Sequence, residues 1–503
     1  MHLAFVGTRS QSGLIAPEVT VEVHLGSGLP GFQVVGFPEA ATRQIRGRVR
    51  SAILSSHLKW PDFNITVNLA PTEQPKEGAR YDLPIALGLL VASQQLPEHS
   101  IANREFFGEL GLDGGIHSFR GCFAAALAAT QADRECGIAL QGAAEVAELT
   151  GGRLIAAPDL LTLCARLKAP EPEYVPRTPY RDADRASYPD LSELKGQPLL
   201  RKALEVAAAG GHHLLMVGPP GVGKTLAASV LPGLLPPLPE ATSQALRLVQ
   251  DLAGVAQCNA PPFRAPHHSS SVAALMGGTA RALPGEISLA HGGVLFLDEI
   301  AEFPHAVLNQ LRQPLETGHI RVNRAQHQNQ YPAQFQLVAA MNPCPCGLAG
   351  DPDHRCRCTP DRIQRYRQSI SGPLADRIDL HITLQRPSPE ILLLRDSATG
   401  NDSSALKAGV ELTRRQQRKR QGCLNRDLTG TDLLGVCELE RKTERWLISA
   451  ATKLKLSPRS THRRLRVART LADISDDRVV GIPHLKTALS FREAPYPTDA
   501  SIR

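Results

Sequence analysis

The chain runs to 503 residues, more than one hydrophobic core usually supports, so two or three domains are expected. With 42% apolar and 21% charged residues its composition excludes wholesale disorder, and no apolar run approaches the roughly 18 to 20 residues that a membrane helix requires. The net charge is +7, with ten Lys or Arg against one Glu between Arg441 and Thr470 and a second basic run at Arg414–Arg420, a pattern that suits either a polyanion partner or a solvated helix face.

Met1–Gly7 lacks a basic region followed by a long apolar one, so no secretion signal is read there and a cytoplasmic protein is expected. In that reducing compartment the ten cysteines read as thiols or metal ligands before structural disulfides. Residues 1–168 alternate short strands and helices: apolar alternation predicts strands over Val19–Leu25 and Phe63–Leu69, and helices suit Ala40–Ser55 and Leu83–Ser93. This is an α/β domain. Residues 169–189, rich in proline and charge, read as a linker. A second α/β pattern fills residues 190–388, with strand-like runs at His213–Val217, Val294–Leu297 and Phe335–Ala340 that predict a parallel sheet flanked by helices. From 389 to 503 the strands stop, and helical segments such as Ser403–Gln421 and His462–Ala472 form a third domain.

Between the run His213–Val217 and the helix-like Leu226–Leu231 lies GPPGVGKT: Gly218, Pro219, Pro220, Gly221, Val222, Gly223, Lys224 and Thr225. Strand, glycine loop and helix are the context that a phosphate-binding loop requires. The glycines let backbone N–H groups close around phosphate oxygens, Lys224 can reach the β- and γ-phosphates, and Thr225 can ligate magnesium. These residues point to ATP with Mg2+. GGVLFLDEI then places Asp298 and Glu299 at a strand end, where the first carboxylate can hold the magnesium shell and the second can polarise an attacking water. Asn342, after the run Phe335–Met341, can sit between these strands and orient that water.

Two further segments carry chemistry. HIRVNRAQHQNQYPAQ, His319–Gln334, alternates as a β-hairpin would, with Arg321 and Arg324 read as its polar face. CPCGLAGDPDHRCRC brings Cys344, Cys346, Cys356 and Cys358 into one short loop; four thiolates suit a tetrahedral structural zinc, His354 can replace one ligand, and unligated thiols are the alternative.

DLSELKGQ, GPPGVGKT, LFLDEI, AAMNP and SGPLADRIDL together resemble AAA+ ATPases of the magnesium-chelatase type. The resemblance implies that Asn342 is the sensor 1 residue, that Arg377 is an arginine finger reaching a neighbouring subunit's nucleotide, and that Arg459 is the sensor 2 arginine. An arginine acting across a boundary requires a closed ring, and the family implies a homo-hexamer. For Arg377 the plain alternative is a surface pair with Asp376 or Asp379.

FFGELGLDGGI and APTEQPKEGARYDLPIALG look like the Lon-protease fold. Active Lon-type proteases place a serine just past a P-K-D-G turn, whereas PKEGARYD offers Ala79, Arg80, Tyr81 and Asp82. Without that serine no serine–lysine nucleophile assembles, and the domain reads as a scaffold or binding platform. A Lon-protease-like α/β domain, a linker, an AAA+ α/β module and a helical lid, in this order, resemble the YifB/ComM family, whose competence member is a branch-migration helicase acting in natural transformation. The resemblance implies a motor on single-stranded or branched DNA, working with recombination proteins, with hairpins lining the ring channel. The segment FRAPHHSSS resembles the insert that accompanies such hairpins, so Arg321, Arg324, His267 and His268 become DNA-contact candidates. A protein-remodelling ATPase and a chelatase-like motor for metal insertion are the competing readings.

Overall fold

The computed structural model describes residues 2–72, 78–177, 187–278, 282–324, 327–350, 356–370, 372–386 and 403–491. The first sheet combines Leu3–Arg9 (β1), Glu18–Gly26 (β2), Gly31–Val34 (β3), Asn64–Ala70 (β4) and Arg104–Phe106 (β5). A two-stranded pair, Glu109–Leu110 (β6) and Ile116–His117 (β7), stands beside it, and Glu135–Ala139 (β8) and Leu154–Ala157 (β9) complete the edge. Its seven strands run in the order β3-β4-β2-β1-β5-β8-β9, antiparallel on either side of β2 and parallel elsewhere. Period-two burial explains the central strands: Val19, Val21, Val23 and Leu25 turn inward from β2, as do Ile65, Val67 and Leu69 from β4. The helix Glu39–Ser55 (α1) packs one stripe inward, whereas Asp82–Ala92 (α2) is buried on every side. A Cβ at Gly88 of α2 would meet Val23 Cγ2 at 2.6 Å, so glycine permits that close approach to the sheet. Cys122–Gln131 (α3), Ala143–Thr150 (α4) and Leu160–Lys168 (α5) finish the domain.

The start of the predicted linker is folded onto this sheet. Tyr174 Oη donates to Glu135 Oε1 at 2.7 Å, and the Val175 amide donates to the Leu154 carbonyl at 2.8 Å. Residues 178–186 lie outside the described residues.

The second sheet follows Pro198–Gly210 (α6) with Leu214–Val217 (β10), Lys224–Leu234 (α7) and Glu240–Ala253 (α8). Phe263–Arg264 (β11), Val294–Leu297 (β12), the hairpin His319–Arg324 (β13) and His327–Pro332 (β14), Gln336–Met341 (β15) and Leu380–Thr383 (β16) follow. Its order is β11-β12-β15-β10-β16, parallel throughout, as the alternating pattern implies. Leu214 and Met216 pack on one side with the C-terminal helices, and Leu215 and Val217 on the other with Leu252, Ile287 and Leu308. The C-terminal helices are Ser403–Gln421, Gly430–Cys437, Arg441–Lys453, Pro458–Ile474 and Ile482–Ser490. The chain is therefore an α/β protein with a helical C-terminal region.

Much of the basic excess is internal. Arg463, Arg464 and Arg469 are buried; Arg464 Nη1 donates to the Asp379 and Phe491 carbonyls at 2.8 and 3.0 Å, and Arg469 pairs with Asp473 at 2.8 Å. Arg414, from the other basic run, donates to the Ala208 carbonyl at 2.7 Å. Arg414 and Arg464 fasten the helical domain to α6 and to the chain entering β16, and Arg469 ties parts of the helical domain together, so these guanidiniums present no polyanion-binding face. Arg441, Lys442, Arg445, Lys453, Lys455 and Arg459 remain exposed.

Candidate active site

Strand β10 ends at Val217 and α7 begins at Lys224, so GPPGVGKT spans the turn between them. Gly221 and Gly223 have φ of +80° and +88°, a region that favours glycine. A Cβ at Gly218 would meet Leu384 Cβ at 2.9 Å, so that glycine is needed where the loop passes the chain leaving β16. Around the loop lies a cleft of about 400 Å³.

The order of the sheet assembles the chemistry. β15 lies between β12 and β10, which brings Asn342, just past β15, beside the loop after β10 and the acids after β12. Lys224 Nζ donates to the Gly218 and Pro219 carbonyls at 2.6 and 3.0 Å and to Asn342 Oδ1 at 3.1 Å, and burial lowers its pKa. Thr225 Oγ1 donates to Asp298 Oδ2 at 3.0 Å, and the Glu299 amide donates to Asp298 Oδ1 at 2.9 Å. Glu299 has a φ of +49°, a conformation uncommon outside glycine and enriched where function over-determines the backbone. Its carboxylate faces His268 Nδ1 at 3.5 Å and is half exposed.

This donor set fits a nucleotide triphosphate with magnesium. A buried ammonium held by carbonyls at the mouth of an open cleft can turn toward phosphate oxygens, and a hydroxyl beside a carboxylate is a hard-oxygen pair suited to Mg2+. Glu299, separate from that pair, is free to accept a proton from water.

Neither Arg377 nor Arg459 lines the cleft of its own subunit. Arg377 pairs with Glu316 and donates to the Pro373 carbonyl. The pairing with Asp376 or Asp379 is not what forms: Asp376 pairs with Arg463 at 3.2 Å and Asp379 with His212 at 3.0 Å. Arg459 is exposed in the first turn of Pro458–Ile474, one turn before Arg463.

The chain matches family models along most of its length: residues 190–392 match magnesium chelatase, subunit ChlI; residues 21–139 match subunit ChlI of Mg-chelatase; residues 400–492 match the ChlI C-terminal region. It is 43% identical to YifB of Escherichia coli K12 over 98% of this chain and 97% of that one. It is 42% identical to the competence protein ComM of Haemophilus influenzae over 98% of each. The chain belongs to the YifB/ComM family. It is a magnesium-chelatase-like AAA+ ATPase motor that uses ATP and Mg2+. A fainter similarity, 26% identity over 264 residues, links it to Lon protease 2 of Bacillus subtilis.

Within this YifB/ComM chain the remaining candidates fall into two groups. On the hairpin, Ile320, Val322 and Tyr331 are buried while Arg321 is exposed, and the chain runs from β14 directly into β15. Arg324 ends β13, and its side chain lies outside the described residues. The His267 and His268 rings lie tilted against each other with centroids 4.0 Å apart, and His267 Nδ1 lies 2.8 Å from Ser269 Oγ. The contact of His268 with Glu299 was not legible in the sequence, because no spacing rule relates a loop histidine to an acid on another strand. Arg264, bidentate to Glu286 at 2.7 Å through both bonds, anchors the segment before these histidines.

The four cysteines do converge. Cys344 Sγ lies 3.3 and 3.6 Å from the sulfurs of Cys346 and Cys356, these two are 3.5 Å apart, and with Cys358 all four sulfurs lie within 4.8 Å of one another. Tetrahedral zinc with Zn–S near 2.3 Å sets sulfurs ~3.8 Å apart, which this spacing approaches. His354 lies outside the described residues.

Proposed function

We propose that this chain forms a homo-hexameric ring in which ATP hydrolysis drives movement along DNA, extending strand exchange at branched recombination intermediates, including those formed when incoming DNA is integrated during natural transformation. The observation that carries this reading is the hairpin of β13 and β14. It exposes Arg321 and leads directly into β15, the strand that Asn342 follows, so a DNA strand bearing on the hairpin is coupled to the hydrolytic cleft. The near full-length similarity to a competence protein supports the biological setting.

In this reading Gly218–Gly223 wrap the phosphates and Lys224 neutralises them. Thr225 and Asp298 would hold magnesium, which supplies further charge neutralisation when bound. Glu299 takes a proton from water and Asn342 positions that water. Arg377 lies away from its own cleft, which accords with action in a neighbouring one, and Arg459 serves as sensor 2. The exposed His267 and the half-buried His268, with Arg321 and Arg324, contact DNA, and the link from His268 to Glu299 gives DNA a second route to the acid. The Cys344, Cys346, Cys356 and Cys358 cluster holds a structural zinc just after Asn342. Metal analysis of purified protein should find about one zinc per chain, lost on Cys356→Ser.

A strand-displacement assay on a branched DNA junction tests the motor. ATP-dependent separation that fails with Lys224→Ala supports it. If the protein hydrolyses ATP yet neither binds nor separates DNA at moderate salt, the DNA reading fails and remodelling of a protein partner replaces it.

A further inference from the structure

The first domain and the ATPase module meet along α8. Arg247 pairs with Glu148 at 2.7 Å and donates to the Glu145 carbonyl at 2.8 Å, while Asp251 Oδ2 accepts the Gly121 and Phe123 amides at 3.0 and 3.1 Å. Beside this seam lies a cleft of about 390 Å³, bounded by Arg80, Glu109, Phe119 and Arg120 on one side and by Asn329 and Tyr331 of the hairpin on the other.

Arg80 is the group that this cleft leaves incomplete. Its Nη2 donates to Gln11 Oε1 at 2.6 Å, and its guanidinium carbon stands 4.7 Å from the centroid of the Phe119 ring. Its Nη1 is buried and, among the described residues, has no hydrogen-bond partner. Burial outweighs the attraction of Glu109 and Asp251, and Asp251 already accepts two amides. A guanidinium withdrawn from water with a spare N–H is costly unless an anion meets it. The arginine is also held ready: Gln11 packs where a Cβ at Gly121 would lie, with its Nε2 2.5 Å from that position, and Gly121 has a φ of +94°.

A second cation borders the same space. Arg120 lies over Gly254, where a Cβ would meet its Nε at 2.6 Å, just past the C-terminal end of α8 whose free carbonyls favour a positive charge. Two guanidiniums thus share the lining of the cleft with one carboxylate, Glu109.

We propose that this cleft is a phosphate-binding site in which Arg80 Nη1 is the buried donor and Arg120 the exposed one. Guanidinium donors match phosphate geometry, and the volume suits a nucleotide-sized group. The phosphate comes either from a free small molecule or from a DNA strand passing between the first domain and the hairpin. In both cases occupancy joins the first domain to the hairpin, because Asn329 and Tyr331 line the opposite wall.

The test uses the full chain with its ATP site filled by ADP and magnesium. Inorganic phosphate is titrated by calorimetry, and a single-stranded oligonucleotide by fluorescence anisotropy, for the wild type, Arg80→Gln and Arg120→Gln. Saturable phosphate binding, weakened about tenfold or more by Arg80→Gln and several-fold by Arg120→Gln, is expected. If only phosphate responds, the ligand is a free molecule; if the oligonucleotide weakens with both variants, whether or not phosphate binds alone, it is a strand. The proposal is overturned if phosphate binds equally to all three proteins, or if it does not saturate and the oligonucleotide affinities are unchanged. Should Arg80→Gln fail to fold, the exposed Arg120→Gln, melting as the wild type does, decides by the same criteria.

Discussion

Both α/β domains set a positive-φ glycine just ahead of a helix, and they put it to different uses. After β10, Gly221 and Gly223 lead to Lys224 and Thr225 at the start of α7; after β4, Gly78, with a φ of +88°, leads through Ala79 and Arg80 to Tyr81 and Asp82 at the start of α2. In the module the helix start faces the Asp298 and Glu299 carboxylates across an open cleft. In the first domain Asp82 is buried against Arg48, with bonds of 2.6 and 3.0 Å, and α2 is covered on all sides. The glycine conformation is therefore permissive and carries no chemistry by itself. What decides is the two or three residues that follow and the charges that neighbouring elements present to them.

The sharpest way to break this comparison is Lys224→Ala. The loop loses the ammonium that bridges Gly218, Pro219 and Asn342, and ATP hydrolysis should fall to background in a phosphate-release assay. Hydrolysis at the wild-type rate would show that this loop does not hold the reacting phosphates.

Arg377→Ala comes next, with an expected loss of about 10³ to 10⁵ in turnover if the arginine serves a neighbouring cleft. Mixing these subunits with Lys224→Ala subunits should restore activity, because an intact Arg377 then faces an intact loop at mixed boundaries. Near-normal activity of Arg377→Ala alone would reduce its contact with Glu316 to a surface ion pair. Glu299→Gln should cost about 10² to 10⁴ in hydrolysis while ATP stays bound, measured by single-turnover kinetics beside nucleotide affinity, since the amide keeps the shape and cannot accept the proton.

Local signals made much of this legible. The loop, the acids, the hairpin and the helix Ser403–Gln421 each announce themselves within a short window, through glycine spacing or apolar period, and β15 does lie between β10 and β12. Charge was read less well. Arg463 and Arg464 look like a surface face because their partners, Asp376 and the carbonyls of Asp379 and Phe491, are supplied by other elements of the folded chain and not by helical spacing. The same holds for His268 and for Arg80, whose surroundings come from other elements.

The smallest expected effect tests the seam between the two domains. Asp251 differs from Asp298 in facing protein and not an open cleft: burial pushes its pKa up to about 6, although the Phe123 and Gly121 amides and Arg80 pull the other way. A carboxyl whose folded pKa lies above its unfolded value of about 4 keeps its proton longer in the folded state. As pH rises from about 4 to about 6 this carboxyl ionises first in the unfolded chain, so its own contribution to folding stability declines through that window and stays lower above it. Asp82, also pushed up to about 6 by burial, contributes a decline of the same sign, so the wild-type curve alone does not separate the two. Asp251→Asn does. The amide oxygen can still accept the Gly121 and Phe123 N–H groups, the charge is gone, and the Asp251 part of the slope is lost while Asp82 and the buried His213, His291 and His381, whose pKa values burial lowers, titrate as before. Melting midpoints followed from pH 4 to pH 8 should nearly coincide at the acid end and diverge in favour of the variant above pH 6, by at most about 3 kcal/mol for a shift of this size. Parallel curves across the whole range would mean that Asp251 ionises as freely in the folded chain as in the unfolded one, and that water reaches the seam between the domains.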